Sequence, residues 1–365
     1  MCKEVRWGLR CKALIAFTVA PPKGFSDSYG WELRKRRFVE AVFRNEGYKK
    51  GFEEIETPIL ESVAALPRSV FSVWNDNNFF GLDINDYDAA GTLLRTTKSV
   101  LRPEGTLPVC RFVATQLAEG QQIPNQLLYS IACYRNEPIE EVDGYKKREF
   151  RQLGVEYIDD KGIESDAAVI EYAYNVMRAI GIPQQDIRVR LNNVQVFNDL
   201  CEESNLRGDD KIELQRALDA FSKERALENA NSVVLPKTDD LSAGLRQRWK
   251  QCAGDYLVLP EAKRLNRPLG DLAGILQERN VPVTIDLAVV RGFNYYTGCV
   301  FQIDVRQGTW LAEIGGGGRY DEVIGQYLRD FGIERPVPAT GFAFGTERLV
   351  KAARLQGTYT LELNL

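Results

Sequence analysis

The chain has 365 residues, 44% hydrophobic and 27% charged, with a net charge of −4. This suits roughly two domains with their own cores and excludes a general attraction to nucleic acid, so any such contact must be local. Seven cysteines without a CxxC pair exclude a disulfide framework or zinc site, and fit reduced thiols in a cytoplasmic protein.

Residues 1–20 join Lys3, Arg6, Arg10 and Lys12 to a short apolar run that meets Pro21-Pro22. The run faintly resembles a targeting peptide, but the prolines make a poor cleavage site, so residues 1–21 read as an irregular N-terminal extension. No stretch approaches the ~20 apolar residues needed to span a bilayer. Residues 28–46 are predicted helical, with Leu33, Val39, Val42 and Phe43 on one face and Gly47 as the stop. A strand over 52–57 ends at Pro58, and the Asn-Asp clusters of 66–93 mark turns. A strand from Thr97 leads into Pro103-Glu104-Gly105-Thr106 and a helix over 107–117. There Glu104 either points into a site or serves as a carboxylate near the helix N-terminus.

Two strands, 127–134 and 150–158, flank a polar loop with Asp143-Gly144 and form an antiparallel hairpin. Arg135, Glu137, Gln152 and Glu156 can project from it into one cleft. A guanidinium beside carboxylates suits a substrate carrying phosphate and amine; a surface salt-bridge ladder is the alternative. Residues 165–180 form a helix capped by Ser165 or Asp166, with Ile170, Ala173, Val176, Met177 and Ile180 as its core stripe. Residues 196–264 turn rich in Leu, Ala, Glu, Arg and Lys, which predicts a mostly helical insertion of lid or clamp type.

Strands follow over 281–290 and 299–305. Between them, Arg291-Gly292-Phe293-Asn294-Tyr295-Tyr296-Thr297-Gly298 offers aromatic walls, a hydroxyl and a cation for a small polar ring or amine. Gly315-Gly316-Gly317-Gly318-Arg319-Tyr320-Asp321 lets backbone approach a ligand closely or take positive φ, without being a Rossmann or P-loop element. Finally, Gly341-Phe342-Ala343-Phe344-Gly345-Thr346-Glu347-Arg348-Leu349 is a strand running into a helix. Arg348 there can stack on a base or bridge a phosphate.

In this order, Thr57-Pro58, Arg135 to Glu156, Arg291 to Gly298, Gly316 to Asp321 and Gly341 to Leu349 resemble motifs 1 to 3 and the two histidine signatures of the class II histidyl-tRNA synthetase family. The resemblance implies an α+β fold: a class II antiparallel sheet flanked by helices, with the helical insertion, dimerising through motif 1. It divides the chain into the extension, a first core part (22–195), the insertion (196–264) and a second core part (265–365).

By the match, Arg135 holds the α-phosphate of ATP, Glu137 contacts adenine, and Arg348 bridges the distal phosphates. Glu104, Thr106 and Gln152 hold the α-amino end of histidine. Glu156 and Tyr296 face its imidazole, Tyr295 and Tyr320 line the pocket, and Arg291 stabilises charge at phosphorus. ATP and Mg²⁺ are the implied cofactors, with no dedicated protein metal site. The chain contains no histidine, but this chemistry needs none: a carboxylate nucleophile requires no general base, only alignment and cationic stabilisation.

The sequence departs from the family at several points. Only 15 residues follow Val350, where the family carries an anticodon-binding domain of about a hundred residues. The hairpin loop sets Glu140, Glu141 and Asp143 against Lys146, Lys147 and Arg148, and Asn294 stands where the family usually has Asp. The expectation is therefore an enzyme forming histidyl-adenylate, with transfer to tRNA as a further possibility. The rivals are a regulatory subunit of ATP phosphoribosyltransferase and an enzyme activating another amino acid for a non-tRNA acceptor. The regulatory paralogue usually loses its catalytic arginines, whereas Arg135, Arg291 and Arg348 all stand here.

Overall fold

A computed structural model describes residues 20–66, 78–142, 146–203, 205–215, 218, 247, 267–286, 288–290, 295–353 and 355. In chain order the strands are β1 (Glu53–Glu54), β2 (Leu60–Ser62), β3 (Gly81–Tyr87), β4 (Leu93–Leu101), β5 (Gln126–Tyr134) and β6 (Glu149–Ile158). They continue with β7 (Ile187–Asn193), β8 (Val283–Ile285), β9 (Cys299–Gln307), β10 (Trp310–Arg319) and β11 (Ala339–Gly345). The helices are α1 (Gly30–Lys49), α2 (Thr106–Ala118), α3 (Ile163–Ala179), α4 (Val194–Glu203), α5 (Arg267–Glu278), α6 (Val323–Arg329) and α7 (Thr346–Ala352).

The main sheet runs β1-β5-β6-β11-β10-β9-β7-β8. Its inner pairings are antiparallel, and a parallel pair closes each edge, β1 with β5 and β7 with β8. A second, smaller sheet is ordered β2-β4-β3. This is the α+β architecture expected above, with helices on both faces of an open sheet.

Alternation along the strands divides the residues between those faces. Leu128, Leu153, Val155, Phe301, Phe342 and Phe344 point into a core shared with α1, α3, α5 and α7. On the other face α2 and α6 cover Leu127, Tyr129, Ile131 and Cys133 at the β5 side. Further along that face the strands carry polar and glycine residues, and the candidate site lies there.

Several local expectations are corrected. Gly47 does not stop α1, which continues to Lys49. A Cβ at Gly47 would sit 2.3 Å from Leu128 Cδ2, so the residue permits helix–sheet contact. Neither Ser165 nor Asp166 caps α3: Gly162 occupies the N-cap, Ser165 Oγ donates to its carbonyl, and Asp166 pairs with Arg319. The stretch read as turns contains β3, whose polar residues find partners on β4. Arg95 pairs with Asp86 at 2.7 Å, and Thr96 Oγ1 donates to Asn85 Oδ1 at 2.7 Å.

Gly315–Gly318 form the last part of β10 before Arg319, paired on both sides, so the close backbone approach they allow is to neighbouring strands. The strand expected over 281–290 is confined to β8, because Asp286 turns the chain by accepting the Ala288 N–H at 3.0 Å. The strand over 52–57 shrinks to β1, and the Thr57 and Pro58 carbonyls accept from the buried Arg102 guanidinium. Most of the expected insertion, Arg291 and Asn294, and residues 1–19 lie outside the described residues.

Candidate active site

The turn Pro103-Glu104-Gly105-Thr106, between β4 and α2, joins the pieces of the site. Arg135 Nε donates to the Pro103 carbonyl at 3.0 Å, and its guanidinium lies over the Phe150 ring, 5.0 Å from the centroid. The Gly105 N–H donates to Gln152 Oε1 at 2.8 Å. Thr106 Oγ1 donates to Glu156 Oε1 at 2.8 Å. One four-residue turn thus touches the end of β5 and two positions on one face of β6.

Glu104 closes that turn. Its carboxylate accepts the N–H groups of Thr106 and Leu107 at 2.8 and 2.6 Å, in the first turn of α2. Of the two roles left open, these bonds display the one at the helix N-terminus. Burial pushes the Glu104 carboxyl up, against those two N–H groups and Arg135.

Glu156 is the centre of the arrangement and is fully buried. Oε1 accepts from Thr106 and, at 3.2 Å, from the Tyr129 hydroxyl; Oε2 accepts from the Tyr320 hydroxyl. Burial drives its carboxyl up to about 8, against the hydroxyl bonds that favour the charged form. Room for this side chain comes from missing ones. A Cβ at Gly341, paired with Glu156 across β11 and β6, would fall 1.6 Å from Glu156 Oε2. Likewise a Cβ at Gly154 would fall 2.2 Å from Tyr129 Cζ.

Three tyrosines continue the wall. Tyr295 stacks obliquely on Tyr296 at 4.8 Å and meets Tyr320 edge-on at 6.0 Å. Tyr296 also lines a cavity of about 340 Å³ with Phe197, Lys211 and Val290. Arg319 turns away from the pocket toward Asp166, Ser165 and the backbone of Asp160 and Gly162. That anchorage at the start of α3 sets the position of Tyr320.

Two expected residues stand apart from this cluster. Glu137 leaves the neck of the hairpin loop and pairs with Lys146 at 3.0 Å. Arg348, in the first turn of α7, donates to the Glu313 carbonyl at 3.1 Å. It lies three residues past Gly345, which pairs with Gln152, just beyond the end of β11. Among the described residues no group of three or more cysteine or acidic side chains converges as a metal site.

Sequence reasoning missed Tyr129, which lies in a run of apolar residues and reads as core. It also missed Gly154 and Gly341 as the floor beneath Glu156. The only signal for them was their alignment on adjacent strands, visible once the register is known.

An antiparallel sheet with this hairpin, this turn and a strand–helix arginine defines the class II aminoacyl-tRNA synthetase fold. A family model described as histidyl-tRNA synthetase matches residues 24–349, and the chain belongs to that family. It is 30% identical over 345 residues to the histidine--tRNA ligase of Saccharolobus islandicus, covering 89% of this chain and 74% of that one. It is 29% identical to the histidine--tRNA ligase of Methanocaldococcus jannaschii over 338 residues, 90% of this chain and 74% of the relative. Among solved structures it resembles an ATP phosphoribosyltransferase regulatory subunit/histidyl-tRNA synthetase from Bacillus halodurans. That match has a TM-score of 0.66 and 26% identity, covering 93% and 84% of the two chains.

Proposed function

We propose that the protein activates histidine with ATP, forming histidyl-adenylate and releasing pyrophosphate. The observation that carries this reading is Glu156: a buried carboxylate that, among the described residues, is met by hydroxyls alone, at the end of a tyrosine-lined wall. A neutral donor set leaves the carboxylate able to take an imidazole N–H, and an amino acid lacking that donor would leave it unsatisfied.

In this mechanism Thr106, Gln152 and Glu104 receive the α-amino group, and Glu156 with Tyr296 orients the imidazole between Tyr295 and Tyr320. The substrate carboxylate attacks the α-phosphorus of ATP in line. Arg135, backed by Phe150, holds the α-phosphate, Glu137 contacts adenine, and Arg348 the distal phosphates. Arg291, placed here by sequence alone, neutralises charge as the bond to pyrophosphate breaks. Mg²⁺ would arrive on the phosphates with most of its water shell, shielding their charge and asking one or two carboxylates of the protein.

Transfer to tRNA, a homodimer formed through the Thr57-Pro58 segment, and a cytoplasmic setting belong to the same proposal. ATP–pyrophosphate exchange with each of the twenty amino acids tests it. Exchange dependent on histidine supports it, and exchange with another amino acid supports the rival specificity. No exchange, with co-purification of a phosphoribosyltransferase, supports the regulatory role for which the Bacillus halodurans protein is named. Arg291→Ala is expected to abolish exchange while far-UV circular dichroism and melting temperature stay unchanged. An undiminished rate removes Arg291 from the mechanism.

A further inference from the structure

The loop that carries Arg135 and Glu137 is held by a segment more than a hundred residues earlier in the chain. The Gly24 carbonyl accepts two successive backbone N–H groups, Arg148 at 3.0 Å and Glu149 at 3.2 Å. On either side of it, Lys23 Nζ donates to the Ile139 carbonyl at 2.7 Å, and Lys147 Nζ donates to Ser26 Oγ at 2.7 Å. Phe25 anchors the segment against Phe80, with ring centroids 5.7 Å apart. Gly24 itself has φ +93°, and a Cβ there would fall 2.7 Å from Arg148 Cγ, so both backbone and space call for glycine.

What the segment grips reaches the site in one further step. Arg148 sends Nε and one terminal nitrogen to the Glu137 carbonyl at 3.0 and 2.8 Å, and its own carbonyl accepts the Arg135 N–H at 2.9 Å. Arg148 is therefore a two-pronged tie between the segment and both residues of the loop neck. We propose that residues 23–26 form a strap that, through Arg148, holds Arg135 and Glu137 in position for ATP, with Gly24 and Arg148 as positioning residues. The ATP part of this proposal rests on the function proposed above; the strap itself rests on the contacts alone.

Amide hydrogen exchange on the full-length protein tests the strap without reference to activity. Gly24→Ala is expected to speed exchange of the Asn136, Glu137 and Glu141 amides about tenfold while α3 keeps its protection. Lys23→Ala, which removes only an exposed contact, is expected to give a smaller rise in the same amides. Loop amides with wild-type protection in both variants overturn the strap. Equal loosening of α3 also overturns it, because the segment would then merely support the fold.

In the exchange reaction, Arg148→Lys keeps the charge and loses the fork. It is expected to raise the KM for ATP about tenfold and leave the KM for histidine within about twofold. Equal changes in both, or none, refute positioning toward ATP. If the wild-type protein activates no amino acid, the proposed activity fails, and the amide exchange still decides the strap.

Discussion

Two fully buried carboxylates, Glu156 and Asp304, lie on the same face of the main sheet, separated by β11 and β10, and their surroundings differ in kind. Asp304 receives Arg190 Nε at 2.7 Å and the Gln302 amide at 2.9 Å, and Arg190 reaches Asp286 at 2.9 Å. Among the described residues, Glu156 receives hydroxyls only. Burial lifts both carboxyls above the ordinary range, but a guanidinium opposes the lift at Asp304, whereas Glu156 rises to about 8. A carboxylate with an internal counter-charge is already balanced and holds β7 to β9. One surrounded by neutral donors is balanced only when something else arrives.

The largest expected effect falls on the balanced site. Arg190→Ala leaves Asp304 and Asp286 buried together without their cation, a change that costs about 3–5 kcal/mol in comparable pairs. Urea unfolding of this variant beside Glu156→Gln measures the contrast directly. Glu156→Gln should lose less than about 1 kcal/mol, since it replaces a costly buried acid by a neutral group of the same shape. Equal losses would break the distinction between the two carboxylates. The same Glu156→Gln protein should show kcat/KM for histidine about a hundredfold to a thousandfold lower in pyrophosphate exchange.

The pH response follows from the same difference. Free imidazole loses its proton near ~6.5, and Glu156 holds its own to about 8. Between those values the separate partners bring one proton to the complex, which the carboxylate and imidazole can share. The favoured complex is an imidazolium–carboxylate pair holding that one proton, so below the window a proton is released on forming it, and above the window one is taken up. Accordingly kcat/KM for histidine should peak between about pH 6.5 and 8, and Glu156→Gln should lose the alkaline limb while keeping the acid one. For stability the sign is opposite to that of an ion-paired carboxylate. The folded state binds this proton more tightly than the unfolded state, so the contribution is full at low pH and lost as pH rises toward about 8. Melting temperatures of wild type and Glu156→Gln should therefore shift relative to each other as pH rises from the ordinary carboxyl range toward about 8, with the variant gaining on the wild type, and run parallel above it.

The parts of this molecule legible in the sequence were those written in local pattern. Period-two alternation marked β6, and the glycine-to-helix transition at Gly345-Thr346 marked β11 and α7. The turn at Glu104 was visible because Pro and Gly bracket it. Elsewhere the decisive information was register. Arg190 and Asp304 are 114 residues apart and meet only because β7 pairs with β9. Gly315–Gly318 suggested close backbone approach to a ligand, yet a Cβ at Gly317 would fall 1.9 Å from the Gly341 carbonyl of the neighbouring strand. The strap at Gly24 is invisible for the same reason, since nothing local ties it to Arg148. Residues 291–294, the first half of one histidine signature, fall outside the described residues.

The smallest effect concerns Tyr129, which the sequence hides among Leu127, Leu128 and Ile131. Its ring presses on Gly105 and Gly154, and its hydroxyl donates to Glu156 Oε1 at 3.2 Å, the longer of the two bonds to that oxygen. Tyr129→Phe keeps the ring and removes one donor, while Thr106 still satisfies the oxygen. The loss in kcat/KM for histidine should be about threefold to tenfold, the size of one neutral hydrogen bond. That donor favours the charged carboxylate, so without it the carboxyl holds its proton longer. The alkaline limb of the pH profile should move upward by a fraction of a unit while the acid limb, set by free imidazole, stays in place. A purely structural tyrosine would lower the rate at every pH and move neither limb, so the position of the alkaline limb tells the two roles apart.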